Sequence, residues 1–150
     1  MKKLKILSLD VASVCGWATS TDIYGTWNMK TIKDESMGMK LIRFKAKITE
    51  VCAHEEIELI VYERPAGQHA NSIIHQAKMI GVLEKFCEEN DIEYRAFSAS
   101  EIKKFATGKG NCGKAAMIEA AKEKYEYDGD DDNEADAIHM LELCKDQLKI

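Results

Sequence analysis

Three carboxylates stand where an acid is hard to explain by packing. Asp10 closes the apolar run Lys5-Ile6-Leu7-Ser8-Leu9-Asp10, and Glu63 closes a second, Ile57-Glu58-Leu59-Ile60-Val61-Tyr62-Glu63. Asp136 lies in Asp132-Asn133-Glu134-Ala135-Asp136-Ala137, near the start of the last helical segment. An acid at the carboxyl end of a buried strand lies where open α/β sheets take their ligands. Three acids on one edge repel each other unless cations hold them, and an all-oxygen donor set suits magnesium. The chemistry that fits is two-metal cleavage of a phosphodiester, in which an attacking water has its pKa lowered and the leaving 3′ oxygen is stabilised. The expected cofactor is therefore Mg²⁺, two ions per site, with Mn²⁺ able to substitute. Asp10 would bridge the ions, Glu63 would complete one shell and the last-helix acids the other. Without metal, mutual repulsion raises the carboxylate pKa values, so activity is expected to rise with pH.

The fourth ligand has two candidates. Counting back along a helix from Asp136, Asn133 is three residues away and Asp132 four, so both share its face, whereas Glu134 points elsewhere. Asn133 offers a neutral carbonyl oxygen. Asp132 offers charge as well, although a carboxylate at a helix start can serve as its N-cap instead. Asp132 is the favoured ligand and Asn133 the alternative.

The elements that must carry these groups are legible from periodicity. Leu4 to Asp10, Val14 to Ser20 and Ile23 to Lys30 read as three strands in an antiparallel meander, with a tight turn at Thr21-Asp22 and a bulge at Gly25. Ser36 is placed to cap a helix whose apolar stripe is Met37, Leu41, Phe44, Ile48, Val51 and Cys52, with Lys40, Arg43 and Lys47 on another face. Ile57 to Tyr62 reads as a strand buried on both faces, stopped by Pro65 just past Glu63. Asn71 to Glu89 is a helix that is apolar on most sides, hence covered on most sides by its own domain or by a partner subunit. Ile92 to Phe97 is a fifth strand, followed by helices over Ala99 to Phe105, Lys114 to Lys124 and Asp132 to Leu143. The class is α/β, a five-stranded mixed sheet flanked by helices, and residues 1–150 are read as one domain.

Composition sets bounds on the function. A hydrophobic share of 45% and a charged share of 31% are those of an ordinary globular domain. No apolar stretch approaches a membrane span, and no apolar leader follows Met1-Lys2-Lys3, so a cytoplasmic protein is expected. Cys15, Cys52, Cys87, Cys112 and Cys144 are widely spread without a Cys-x-x-Cys pair, which argues against a disulfide framework or a zinc knuckle. The net charge of −5 is unevenly placed: acids crowd into Glu126 to Asp136, just after Lys103, Lys104, Lys109, Lys114, Lys122 and Lys124. Two divalent ions would add roughly +4 at the acidic edge and leave a basic surface beside it.

Several other patterns carry less. Gly108 to Ala115 matches G-x-x-x-x-G-K, but Ala115 lacks the hydroxyl a nucleotide-binding loop needs for magnesium, and the preceding segment reads as helix rather than strand. A glycine loop whose amides and lysines contact phosphate suits the spacing better. His139 shares a helical face with Asp136, yet packing is its simpler role, and Trp17 and Trp27 read as core or sheet-face residues. Neither Ser13 nor Ser98 sits in a nucleophile-elbow context.

With these segments in place, the chain resembles the RuvC-type Holliday junction resolvases of the ribonuclease H-like superfamily, and looks closest to the short forms of bacteriophages and Gram-positive hosts. The match runs through Leu9-Asp10-Val11-Ala12-Ser13-Val14-Cys15-Gly16-Trp17, Val61-Tyr62-Glu63-Arg64-Pro65, the stretch from Ser98 to Lys114, and the closing Asp136. The resemblance implies a ribonuclease H-like fold and a metal-dependent endonuclease that resolves four-way DNA junctions by paired nicks. It implies catalytic roles for Asp10, Glu63, Asp136 and Lys114 and DNA contacts from Lys103 and Lys114; helix spacing adds Asp132 to the catalytic, metal-holding acids, and the glycine loop adds Lys109 to the DNA contacts. The excess apolar surface of the Asn71 to Glu89 helix, and the two symmetric cuts a four-way junction needs, predict a homodimer built around that helix, in a bacterial or phage-infected cell. Two departures stand out: Asn133 occupies an acid position of the family, and Ala66 stands where some members carry an aromatic wedge. They keep open a nuclease of the same fold acting on flaps, other branched DNA or RNA, and a junction-binding protein with a weakened site.

Overall fold

The computed structural model describes residues 3–67 and 69–150; the Met1-Lys2 start lies outside them. Five strands, β1 (Ile6–Asp10), β2 (Val14–Thr19), β3 (Tyr24–Asn28), β4 (Leu59–Glu63) and β5 (Glu93–Phe97), form one sheet in the order β3-β2-β1-β4-β5. β1, β2 and β3 pair antiparallel, while β4 and β5 add in parallel. The helices are α1 (Met37–Glu55), α2 (Ala70–Glu89), α3 (Ala99–Thr107), α4 (Lys114–Tyr125) and α5 (Asp132–Leu148).

Strand alternation sorts the core into two layers. Leu7, Leu9, Ile60 and Tyr62 face α1 and α2, in a cluster with Phe44, Ile48, Met79 and Leu83. Ile6, Leu59 and Val61 face α3, α4 and α5, in a cluster with Ile102, Met117, Ala135 and Met140. A β1 strand covered on both sides reads as a continuous apolar run, which is why its acid stands out.

Some details depart from the sequence reading. Gly25 is not a bulge: β2 and β3 stay in continuous register from Val14↔Asn28 to Ala18↔Tyr24. The glycine leaves room for the Trp17 indole, which an added Cβ would meet at 2.9 Å. In α1 the buried row is Lys40, Phe44, Ile48 and Cys52, so Lys40 lies on the inner face rather than the outer one. α2 buries Met79, Ile80, Leu83, Phe86 and Cys87 but leaves Ile74 and Ala77 exposed. The helix enclosed on most sides is α5, where eight residues from Ala135 to Cys144 are buried. Trp17 and Trp27 do pack on the sheet, their rings stacked at 6.0 Å, with Trp27 edge-on to Phe44.

Candidate active site

Asp10 and Glu63 share a face because each stands two and four residues past a side chain of the α5 layer: Ser8 and Ile6 before Asp10, Val61 and Leu59 before Glu63. The parallel register pairs Leu9 with Tyr62, which sets the next residues of the two strands, Asp10 and Glu63, side by side at the carboxyl edge.

The third acid arrives on α5, and β2 determines how closely. Gly16 pairs with Asp10 across the antiparallel ladder. A Cβ on Gly16 would lie 1.9 Å from the Asn133 carbonyl oxygen, so the α5 backbone rests directly on the strand. Only a residue without a side chain lets the first turn of α5 settle there. Asp131 caps the helix, its Oδ1 accepting from the Glu134 amide at 2.9 Å. Tyr127 clamps the same turn: its hydroxyl accepts from the Asp131 amide at 3.0 Å and donates to Glu134 Oε1 at 2.7 Å. Capping therefore falls to Asp131, and Asp132 is the first helical residue with its carboxylate free to face the edge.

The electrostatics bind the four acids into one site. Burial, then Asp136, Glu63, Asp132 and Asp131, hold the Asp10 carboxyl well above the usual range. Burial, then Glu63 and Asp132, push Asp136 up to about 7, while Lys103 and Lys114 pull it down. Burial also raises Glu63, against the pull of Lys103. Among the described residues no hydrogen bond or ion pair reaches the Asp10, Glu63 or Asp136 carboxylate; Asp132 has only the exposed Lys114 ammonium at 3.6 Å. Carboxylates so placed destabilise the fold unless something positive joins them. As they stand, no three His, Cys, Asp or Glu side chains among the described residues are grouped to hold an ion. The donor set itself, four carboxylates and no nitrogen or sulfur, fits a hard divalent cation.

The cations around the site differ in availability. Lys114 opens α4, where a positive charge opposes the helix dipole, and Gly113 before it makes no side-chain cap. Its partners are the acids of α5. Lys103 is partly buried on α3, within reach of Glu63 and Asp136. Lys109 is exposed on the glycine loop, which joins two helices. Lys122 and Lys124 are tied down instead: Lys122 pairs with Asp130 at 2.8 Å, and Lys124 donates to the Ala106 carbonyl at the end of α3 at 2.5 Å. His139 is buried, donating from Nε2 to the Met117 carbonyl at 2.8 Å, with Tyr125 edge-on to its ring. Ala66 is exposed on the loop after Glu63. Gly16, Asp131 and Tyr127 had no role assigned from sequence; a glycine opposite the first acid was the one available signal.

No family model and no curated protein matches the chain. Solved structures do match. A Thermus thermophilus RuvC in complex with a Holliday junction substrate superposes with a TM-score of 0.77 at 14% identity, over 92% of this chain and 90% of that one. A second Thermus thermophilus RuvC structure gives 0.76 at 14% identity, over 97% of each chain. The yeast mitochondrial Holliday junction resolvase Ydc2 gives 0.66 at 9% identity, over 97% of this chain and 80% of that one. The fold is thus the ribonuclease H-like fold of the RuvC-type resolvases.

Proposed function

We propose that the chain is a divalent-metal-dependent endonuclease that cuts branched DNA, four-way junctions above all. The observation that carries this reading is the carboxylate edge: Asp10, Glu63 and Asp136 converge from three elements, partly buried and raised in pKa, and no hydrogen bond or ion pair of the described residues reaches them. Such an edge destabilises the free protein and is useful only when cations complete it. Asp10, Glu63, Asp132 and Asp136 would hold two Mg²⁺ ions, whose chemistry is to activate a water and stabilise the leaving 3′ oxygen. The remaining work belongs to the chain itself. Lys114 and Lys103 orient the phosphate and offset the charge that develops on it. Lys109 extends the basic surface along the glycine loop. The junction preference draws on the likeness to RuvC bound to its Holliday junction and to Ydc2.

A four-way junction presents two strands to be cut, which calls for two sites. We infer a homodimer through the outer face of α1 and α2, where Met39, Ile42 and Ile74 are 56%, 63% and 49% exposed. Sedimentation showing a stable monomer at micromolar concentration, free and DNA-bound, would count decisively against the dimer.

The deciding experiment offers synthetic four-way junction, flap, duplex and RNA–DNA hybrid substrates with magnesium or with EDTA. Paired nicks in the junction, only with metal, are expected. Asp10→Asn, Glu63→Gln and Asp136→Asn should each abolish them and leave junction binding largely intact. Cleavage that persists in EDTA, or in these variants, would sink the metal-site reading; a preference for flaps or hybrids would move the substrate.

A further inference from the structure

A pocket of about 330 Å³ opens beside the acidic edge, on the opposite side of the sheet from α5. Its wall includes Ser13 from the β1–β2 turn, Lys40 from α1, and Asn71, Ser72, His75 and Gln76 from the start of α2. Lys40 is the unusual member. It occupies the first place in the row Lys40, Phe44, Ile48 and Cys52, where an apolar residue would extend the core, and it is 3% exposed. No hydrogen bond or ion pair of the described residues engages its ammonium. Glu35, whose carboxylate feels Lys40, is already held by Arg43 through two hydrogen bonds at 2.9 and 3.0 Å. The side chain is buried while its nitrogen stays accessible in the pocket, so the ammonium is open to an anion that enters there.

The other half of the pocket also favours an anion. α2 is 20 residues long, and His69 at its N-cap makes no side-chain hydrogen bond to it. Its first turn carries no acid. The unpaired amides of that turn and the positive end of the helix dipole face a ligand at this end. Ser13 and Ser72 add hydroxyls. Gln76 ties the pocket to the catalytic strand by donating from Nε2 to the Val11 carbonyl at 3.0 Å, one residue past Asp10. The Cys15 thiol lies within electrostatic reach of both Asp10 and Lys40. The pocket and the acids therefore border the same end of β1.

We propose that this pocket is a second phosphate subsite, in which Lys40, the first-turn amides of α2 and the Ser13 and Ser72 hydroxyls take a backbone phosphodiester of the DNA close to the one that is cut. The inference rests on the nuclease reading above. With Lys103 and Lys114 on the α3–α5 side and Lys40 on the α1–α2 side, a strand crossing the edge is gripped on both sides of the acids. The grip fixes which phosphate stands over Asp10.

The test measures binding of a labelled four-way junction by fluorescence anisotropy across a salt series, every protein carrying Asp10→Asn so that nothing is cut. Lys40→Met keeps the length and apolar stem of the side chain and removes its charge. It should weaken binding roughly tenfold at low salt and make the log–log salt dependence shallower by about 0.9. Lys40→Arg should retain most of the affinity. Ser72→Asp places a negative charge at an exposed position of the pocket wall and should weaken binding in the same direction. A folded Lys40→Met protein with parental affinity and salt slope overturns the subsite while leaving the nuclease reading intact. Should Lys40→Met fail to fold, Ser72→Asp decides alone, and unchanged affinity there overturns the proposal. A parent protein that binds no DNA removes the nuclease reading and the subsite with it.

Discussion

Replacing Asp136 by asparagine should stabilise the metal-free protein and end cleavage, both through the same carboxylate. Burial and the neighbouring Glu63 and Asp132 lift Asp136 from 3.8 to about 7. A carboxyl with a raised folded pKa holds its proton more tightly in the folded chain than in the unfolded one. Its contribution to stability is complete below the unfolded value of 3.8 and is lost as the pH rises through about 7. The whole interval corresponds to about 4 kcal/mol. Solvent at this partly open edge screens the effect and leaves about 1–2 kcal/mol. Asparagine has nearly the same shape and no charge, so it removes that loss. Urea denaturation in EDTA at about pH 8 should therefore show Asp136→Asn above the wild type by about 1–2 kcal/mol, with the two converging near pH 4. Magnesium should then raise the wild type more than the variant, because a ligand of the folded state alone stabilises it by mass action. A difference that stays flat between these pH values, or an Asp136→Asn protein less stable than the wild type in EDTA at the upper one, would refute the electrostatic account of the site.

Three further outcomes follow from particular contacts. Gly16→Ala sets a Cβ 1.9 Å from the Asn133 carbonyl oxygen, so α5 must lift from β2. A loss of about 1–3 kcal/mol on thermal or urea unfolding, with a fall in cleavage though every acid remains, is expected; wild-type melting and rate would show that this seating does not set the site. Lys114→Ala should weaken junction binding and cleavage, with the deficit narrowing as salt rises because one phosphate contact is gone; an unchanged salt slope would leave Lys114 a surface residue. Under limiting magnesium, Asp132→Asn should lose metal affinity measured by titration calorimetry, and Asn133→Ala should not. The reverse pattern would assign the fourth ligand to the amide.

The strands and their two acids were legible because a strand covered on both faces reads as an unbroken apolar run, against which a terminal carboxylate is conspicuous. Where α5 would meet them was not legible. The contact that sets it joins Gly16 to the Asn133 carbonyl, far apart in the chain, and no periodicity reports a backbone-to-backbone approach of that kind. Gly25 misled for a related reason. A strand glycine marks either a bulge or a close neighbour, and the neighbour here is the Trp17 indole on the adjacent strand. In α1 the geometry of the row was sound and the chemistry of one residue hid it: Lys40 stands four residues before Phe44, on the core face, but polarity assigned it outward. Apolar positions all round α2 were read as cover from its own domain or from a partner subunit. Apolar character all round α2 reflects a surface its own domain leaves partly open, whereas α5 is enclosed despite its acids, because small Ala135 and Ala137 let it lie flat against the sheet.

Three features of this chain share a physical origin. Each falls on a residue whose type opposes its surroundings: a lysine in a core row, a glycine in a central strand, a cluster of acids on a buried helix. Local rules assign a residue the environment that suits it, so they fail where the fold accepts a cost for what the site does. Two of the three, the Gly16 seat and the acids of α5, belong to the carboxylate edge itself. The third, Lys40, borders the same end of β1, and no hydrogen bond or ion pair of the described residues engages it. Under the proposed function, the ammonium and the carboxylates at this sheet edge would be served by ligands of both signs. A nucleic-acid backbone with its divalent counter-ions supplies both at once, phosphate to the lysine and cations to the acids. Neither a cation alone nor an anion alone would satisfy both halves of this edge.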